Sequence, residues 1–352
     1  MNIGILFGGK SYEHDISIIT ANIIYHALKD KHEVLLLYIT KDGNFEQPKK
    51  MNINDFASDK KYRKFSFAKG GIKVGCKYKD VDVLITTMHG INGEDGLASI
   101  ICNLYNIPFV GSNHISSGLL MDKYLTYAVL RSNCINTIHT KYFLKNDKIN
   151  ISDFPVIVKP ARLGSSIGIS KITNYDDLER KCKEAFLYDD KIIIQPFIEE
   201  FREFNQAAYF TDGNIIVSNV EEVFKSLDIL SFEDKYVSSK VGKGHAFVFD
   251  EKIISRISEI TKEIYSLFEL SGIVRIDYIF KDNIIFVNEI NTTPGSLAFY
   301  LFEEKLEFLL EKLIANSLLE FQNKKDPIFK SSILNQNHLY KKWNNAIIFL
   351  TY

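Results

Sequence analysis

Apolar residues in the first hundred positions fall in short continuous runs, each closed by glycine or by polar loop residues. MNIGILFGG, Met1 to Gly9, ends in a glycine pair, as a buried strand entering a tight turn does. DISIITANIIYHALKD then repeats apolar residues at helical spacing, and HEVLLLYIT is a second continuous run. This strand–loop–helix–strand opening predicts a parallel sheet covered by helices. VDVLITTMHG and IPFVGS add two strands, and a first α/β domain is expected to close at residue 112.

SSGLLMDKYLTYAVLRSN predicts one helix capped by Ser116 or Ser117. FPVIVKP and IGISKIT read as strands, YDDLERKCKEAFLYDD as an amphipathic helix and KIIIQPFI as a further strand. That order predicts a small mixed domain over 113–195. A third region, 196–330, opens with FREFNQAAYF and NIIVSNV and passes through a polar loop and a helix near Ile254 to Leu270. It ends in the strands GIVRIDYIF and IIFVNEIN. The tail, 331–352, has no motif and admits an added helix or strand. The fold class is therefore mixed α/β in three domains, with a Rossmann-like first domain.

Composition changes this picture little. In 352 residues the apolar share is 46%, enough for sizeable cores, and the formal net charge is −1. Such a balance gives no reason to expect nucleic acid or a membrane surface as partner. Cys76, Cys102, Cys134 and Cys182 are scattered without a CxxC pair, as free thiols are. The N-terminus has no basic leader, and no segment approaches the roughly 18 apolar residues of a spanning helix. The expectation is a cytoplasmic protein.

Candidate chemistry sits in four places. GIVRIDYIF and IIFVNEINTTPG are joined by KDN, good hairpin turn chemistry. Alternation puts Arg275 with Asp277 and Glu289 with Asn291, and the fold-back brings the pairs close to opposition. Two acids and a carboxamide, without His or Cys, suit Mg²⁺ sharing its shell with phosphates; a solvated polar sheet face is the plain alternative. KPARLGSSIGISK, Lys159 to Lys171, lies between two strands, so it is not a strand-to-helix phosphate loop. It predicts a hairpin tip whose Ser165 and Ser166 can close over an anion as a lid, with Lys159 on the strand below. Glu13 begins a helix, where a favourable dipole interaction is the simpler role. His89, in MHGINGEDG at the carboxyl edge of the parallel sheet, is either a loop hydrogen-bonding group or a substrate contact.

These blocks, in this order, resemble the D-alanine–D-alanine ligase family of the ATP-grasp superfamily over about residues 1–325. The blocks are GGKSYEHDIS, HGINGEDG, GSNHISSGLLMDK, FPVIVKPARLGSSIGISK, FREFN, EDKY, RID and NEINTTPGS. The resemblance implies a three-domain ATP-grasp fold and a two-step ligation for peptidoglycan precursor synthesis. ATP phosphorylates one D-alanine carboxylate, and the amine of a second D-alanine displaces phosphate. It implies that Lys123, Lys159 and Lys235 contact phosphates, with Ser166 of the lid beside them, and that Glu203 binds ribose. On the same resemblance Gln195, Phe197 and Ile198 are expected to line adenine. Asp277, Glu289 and Asn291 hold Mg²⁺ or Mn²⁺, two ions in all. Arg275 and the Gly295 backbone stabilise the tetrahedral oxyanion. It also makes Glu13 the anchor of the first substrate's ammonium, hydrogen-bonded with Ser165 and Tyr236, and places His89 near that substrate's carboxylate. A homodimer is implied as well.

Three residues depart from the family pattern. Gln195 replaces a glutamate, though its amide oxygen still accepts a hydrogen bond. His14 follows Glu13, within family variation. PGSLAFYLF puts Tyr300 where a serine usually binds the acceptor's carboxylate, so Ser296 or backbone N–H groups share that task. A ligase with another acceptor, such as D-serine, is therefore the sister reading. A regulatory module that has lost catalysis conflicts with the joint presence of the lysines and metal ligands.

Overall fold

In the computed structural model, residues 1–58, 60–224 and 244–324 are described. The chain divides into two compact units, Met1–Leu318 and Leu319–Tyr352.

The parallel sheet predicted from the opening is present. β1 (Asn2–Gly8) runs parallel to β2 (Glu33–Ile39) on one side and to β7 (Val83–Thr86) on the other. Flanked on both edges and covered on both faces, β1 is apolar and buried from Ile3 onward rather than alternating. β8 (Phe109–Val110) extends the sheet in parallel beyond β7. On the other edge β3 (Phe45–Gln47), β4 (Arg63–Ala68), β5 (Gly71–Val74) and β6 (Lys77–Asp80) form an antiparallel extension. α1 (His14–Leu28) buries Ile18, Ala21, Ile24 and Leu28 against it. α2 (Ile53–Ala57) and α3 (Leu97–Tyr105) also belong to this region. Gly8 turns the chain out of β1 at φ +86°, and a Cβ there would lie 2.3 Å from the Ile39 carbonyl oxygen. Only glycine fits that turn.

The single helix expected over 116–133 is two: α4 (His114–Met121) and α5 (Lys123–Ser132). Its cap is Asn113, whose side chain accepts from the Ile115 and Ser116 N–H groups, not Ser116 or Ser117. Asp122 is extended (φ −90°, ψ 107°) and accepts from the Tyr124 and Leu125 N–H groups, so it ends one helix and caps the next. The break puts Lys123 at a helix start, clear of the helical ladder.

The second sheet has the order β11–β10–β12–β9, made from β9 (Lys141–Leu144), β10 (Val156–Pro160), β11 (Ser170–Ile172) and β12 (Lys191–Pro196). α6 (Tyr175–Ala185) covers it through Leu178, Cys182 and Ala185. β10 and β11 pair antiparallel, Val156 opposite Ile172, so the Gly/Ser stretch is a hairpin tip.

The third sheet contains β13 (Arg202–Thr211), β14 (Asn214–Val217), β15 (Glu221–Phe224), β16 (Gly244–Phe247), β17 (Val274–Lys281) and β18 (Ile284–Asn291). α7 (Glu251–Leu267) packs Ile257, Ile264 and Tyr265 onto it. α8 (Leu306–Gln322) joins Leu309, Leu310 and Leu313 to the α1 side of the first sheet through Leu297, Ala298 and Leu301. One continuous core thus ties the first sheet to the turn that follows β18.

Candidate active site

The β17–β18 hairpin turns at Asp282 and Asn283, both at positive φ (49° and 63°), as a two-residue hairpin loop requires. Its register sets Asp277 directly opposite Glu289 and Arg275 opposite Asn291. A bulge lies next to the Asp277 pair, with Tyr278 opposite Val287, so Asn288 is the extra residue. The bulge lets Val287 and Ile290 both point into the core while Glu289 and Asn291 share the open face.

Arg275 donates to both Asp277 oxygens at 2.7 and 2.9 Å. Burial pushes the Asp277 carboxyl above its ordinary value, against the pull of Arg275. Although burial opposes it, Asp277 holds the Arg275 guanidinium firmly protonated. Asn291 Nδ2 donates to Asp277 Oδ2 at 3.3 Å, which leaves its carboxamide oxygen as an acceptor. Lys123 Nζ lies 2.9 Å from Glu289 Oε1 and donates to the Leu163 carbonyl at 2.8 Å. One lysine therefore joins the acidic hairpin to the root of the lid.

The donors of Asp277, Glu289 and Asn291 are all hard oxygens and fit a Mg²⁺-like ion. Among the described residues no group of three or more His, Cys, Asp or Glu could hold a metal. Two carboxylates and a carboxamide would need phosphate and water oxygens to complete a shell, as Mg²⁺ sites usually do.

This hairpin is the floor shared by two cavities. The larger, about 250 Å³, is lined by Lys123, Lys159 and Ser166 and by Gln195, Phe197 and Ile198. Glu203, Arg275 and Tyr300 also face it. Burial raises the Tyr300 phenol pKa, with Arg275 opposing. The smaller, about 140 Å³, shares Lys123, Ser165, Arg275 and Glu289 and adds Glu13, His89 and Gly295. A Cβ on Gly295 would meet nothing within 4 Å, so the glycine leaves its backbone open to this space. Lys235 and Tyr236 lie outside the described residues.

The tip of the β10–β11 hairpin borders the smaller cavity through Gly164 and Ser165. Ser165 and Ser166 have positive φ (53° and 60°), and the Ser165 hydroxyl donates to Glu13 Oε1. Glu13 sits at the start of α1 yet makes no side-chain cap bond to it. Its carboxylate faces the lid and the cavity, against the dipole role that the sequence favoured.

His89 is buried and uses both ring nitrogens on the protein. Nδ1–H donates to the Thr293 carbonyl at 2.8 Å, which fixes the tautomer, and Nε2 lies 3.3 Å from Thr20 Oγ1. The Ser296 N–H donates to that same hydroxyl at 3.3 Å. His89 and Thr20 therefore hold the Thr293–Ser296 turn while the imidazole lines the cavity. Burial lowers the His89 pKa, with Glu13 opposing. Ser296, Leu297 and Ala298 take φ values of 50°, 52° and 47°, a left-handed turn held by the burial of Leu297 and Ala298.

Glu94 was not singled out from the sequence. It accepts from the Thr293 N–H at 3.2 Å and the Gly90 N–H at 3.3 Å, linking the MHGINGEDG loop to the turn after β18. Burial and the nearby Glu13 push its carboxyl up to about 8. The acid-rich loop was visible in the sequence, but not which acid turns inward. A folded-state pKa raised above the unfolded value stabilises fully at low pH, and that stability is lost as pH rises through about 8. The thermal midpoint of the wild type is therefore expected to fall relative to Glu94→Gln between pH 6 and pH 9. Parallel midpoints across that range would contradict the shift.

Comparison with known proteins fits this geometry. A model described as "D-ala D-ala ligase N-terminus" matches residues 2–112, and one described as "D-ala D-ala ligase C-terminus" matches 123–308. The chain belongs to the D-alanine–D-alanine ligase family. A D-alanine–D-alanine ligase of Thermosipho melanesiensis is 37% identical, over 95% of this chain and 98% of its own. One from Campylobacter concisus is 34% identical, over 90% and 93%. The solved D-alanine–D-alanine ligase of Helicobacter pylori is 28% identical with a TM-score of 0.76, over 90% of this chain and 98% of that one. Members of this ligase family have the ATP-grasp fold, and the three sheets described above are its form in this chain.

Proposed function

We propose that this ligase joins two D-alanines to D-alanyl-D-alanine at the expense of ATP, through an acyl phosphate, supplying a peptidoglycan precursor. The observation that carries the reading is the common floor. Arg275, Asp277 and Glu289 border both the lysine-lined cavity and the chamber under the lid.

In the larger cavity Lys123 and Lys159 would meet the phosphates, Ser166 the lid side, Glu203 the ribose, and Gln195, Phe197 and Ile198 the base. Asp277, Glu289 and Asn291 would hold Mg²⁺ or Mn²⁺, which when bound neutralises phosphate charge. In the smaller chamber Glu13 anchors the ammonium of the first D-alanine, whose carboxylate oxygen attacks the terminal phosphorus of ATP. The bond to ADP breaks, leaving an acyl phosphate beneath the lid. Ser165 keeps the tip shut on Glu13, excluding water. The second D-alanine, its ammonium proton given to water, attacks the acyl carbon through its amine, and the proton lost on forming the amide leaves with the phosphate. Arg275 and the Gly295 backbone face the oxyanion that develops, and phosphate leaves. Tyr300, beside Arg275, borders the acceptor's side, with Ser296 on the adjoining turn.

Domains over 1–112, 113–195 and 196–330 with a tail over 331–352 belong to this reading. The first matched segment ends at 112 and the second sheet gives way to the third between Pro196 and Arg202, while the second matched segment, 123–308, spans both. A homodimer and a cytoplasmic location come with the family resemblance. Among the described residues no helix is long and apolar enough to cross a membrane.

The test is incubation with ATP, Mg²⁺ and carboxylate-¹⁸O-labelled D-alanine, beside a panel of other D-amino acids. The dipeptide should form in step with ADP, and label should appear in the released phosphate. Neither ADP nor dipeptide from D-alanine would sink the reading, and dipeptide without labelled phosphate would sink the acyl phosphate.

A further inference from the structure

We propose that Thr140 is a positioning residue that fixes the amide of Gln195, so that the site selects a nucleobase with an amine at its six-position. The inference rests on the larger cavity being the nucleotide site. β12 pairs with β9 as far as Ile194 opposite Lys141, and one further step sets Gln195 beside Thr140. Both are buried, at 7% and 2% exposure, but Gln195 lines the cavity.

Gln195 Nε2 donates to Thr140 Oγ1 at 2.8 Å, and the Thr140 hydroxyl donates to the Ile138 carbonyl at 2.8 Å. A threonine hydroxyl has one hydrogen. With that hydrogen on Ile138, Oγ1 can only accept, so the amide nitrogen must face Thr140. The amide oxygen is left as the polar group that meets the base. Turning the amide over would set its oxygen against Oγ1 and cost the hydrogen bond to Ile138 or to Gln195.

A carboxylate at this position would be an acceptor in either orientation and would need no such control. An amide is ambiguous. Its oxygen suits the six-amine of adenine, and its NH₂ suits the six-carbonyl of hypoxanthine or guanine. Ile138, Ile157, Ile169, Phe197 and Ile279 supply apolar walls that hold a flat base without reading its edge. Beside these walls the Gln195 amide, oriented by Thr140, is a side chain that tells an amine from a carbonyl.

The experiment compares kcat/KM for ATP and ITP, because hypoxanthine differs from adenine only in the six-carbonyl and the protonated ring nitrogen. Thr140→Val removes the hydroxyl at nearly constant volume and is expected to lower the ATP-to-ITP ratio roughly five- to tenfold, the worth of one hydrogen bond. Thr140→Ser should keep the ratio. Adding Gln195→Glu to Thr140→Val should restore it, because a carboxylate accepts whichever way it turns. If Thr140→Val does not fold, Thr140→Ala is read by the same ratio. A ratio within twofold of wild type in the hydroxyl-less variant, or no recovery in the double variant, overturns the inference. Wild-type protein that binds neither nucleotide by calorimetry overturns the nucleotide site and the inference together.

Discussion

Replacing Glu289 with glutamine is expected to lower kcat for D-alanine-dependent ADP formation by about 10²–10³-fold, with little change in thermal stability. The carboxylate faces Asp277 across the hairpin, with its Oε1 2.9 Å from Lys123 Nζ. The charge that loses its counter-ion is Lys123, at 13% side-chain exposure, but a glutamine amide oxygen can still accept from it and the Leu163 carbonyl still does, so the fold should persist. What changes is the charge available to an ion between the phosphates and the hairpin. The variant should therefore need more Mg²⁺ for half-maximal rate, while the Lys123 contact to the Leu163 carbonyl still holds the lid root. Wild-type turnover at equal Mg²⁺ would remove Glu289 from the metal set. Loss of activity with a collapsed thermal midpoint would make it structural instead.

That Asp277 and Glu289 meet was legible in part. Alternation placed the polar pairs, and KDN placed the turn. The phase error in IIFVNEIN was there to be read: Val287 and Ile290 are both apolar and three residues apart, which a regular strand cannot put on one face. Only an extra residue reconciles them, and Asn288 is that residue. The break at Asp122 was less legible, because its neighbours keep helical spacing and one side chain accepting two N–H groups decides the matter. The antiparallel extension from β3 to β6 was legible and was passed over: Phe65 and Phe67 alternate with Lys64 and Ser66, and Ile72 and Val74 flank Lys73, across a turn at Lys69 and Gly70. Glu94 and Thr140 escaped for another reason. Each acts through a partner distant in sequence, Thr293 in one case and Gln195 in the other, and no local pattern carries such a pairing.

Glu13 was the residue for which local reasoning and family resemblance disagreed, and it carries the second large effect. Glu13→Gln is expected to lower kcat/KM for D-alanine about 10²-fold while changing that for ATP little, since an ammonium in a closed chamber loses its counter-charge. The same substitution removes the negative charge that helps push Glu94 up, so the Glu94 carboxyl should return toward its ordinary value. Ser165→Ala isolates the latch from the anchor. It keeps the Glu13 charge and removes the hydroxyl that donates to it from the lid tip. Substrate affinity should then fall less than in Glu13→Gln, but the acyl phosphate should lose some of its protection from water. The signature is uncoupling, with ADP released in excess of dipeptide. If Ser165→Ala lowers both products in equal proportion, the tip does not guard the intermediate and its glycines serve only to bend the chain. If Glu13→Gln weakens ATP and D-alanine alike, the carboxylate supports the fold rather than the ammonium.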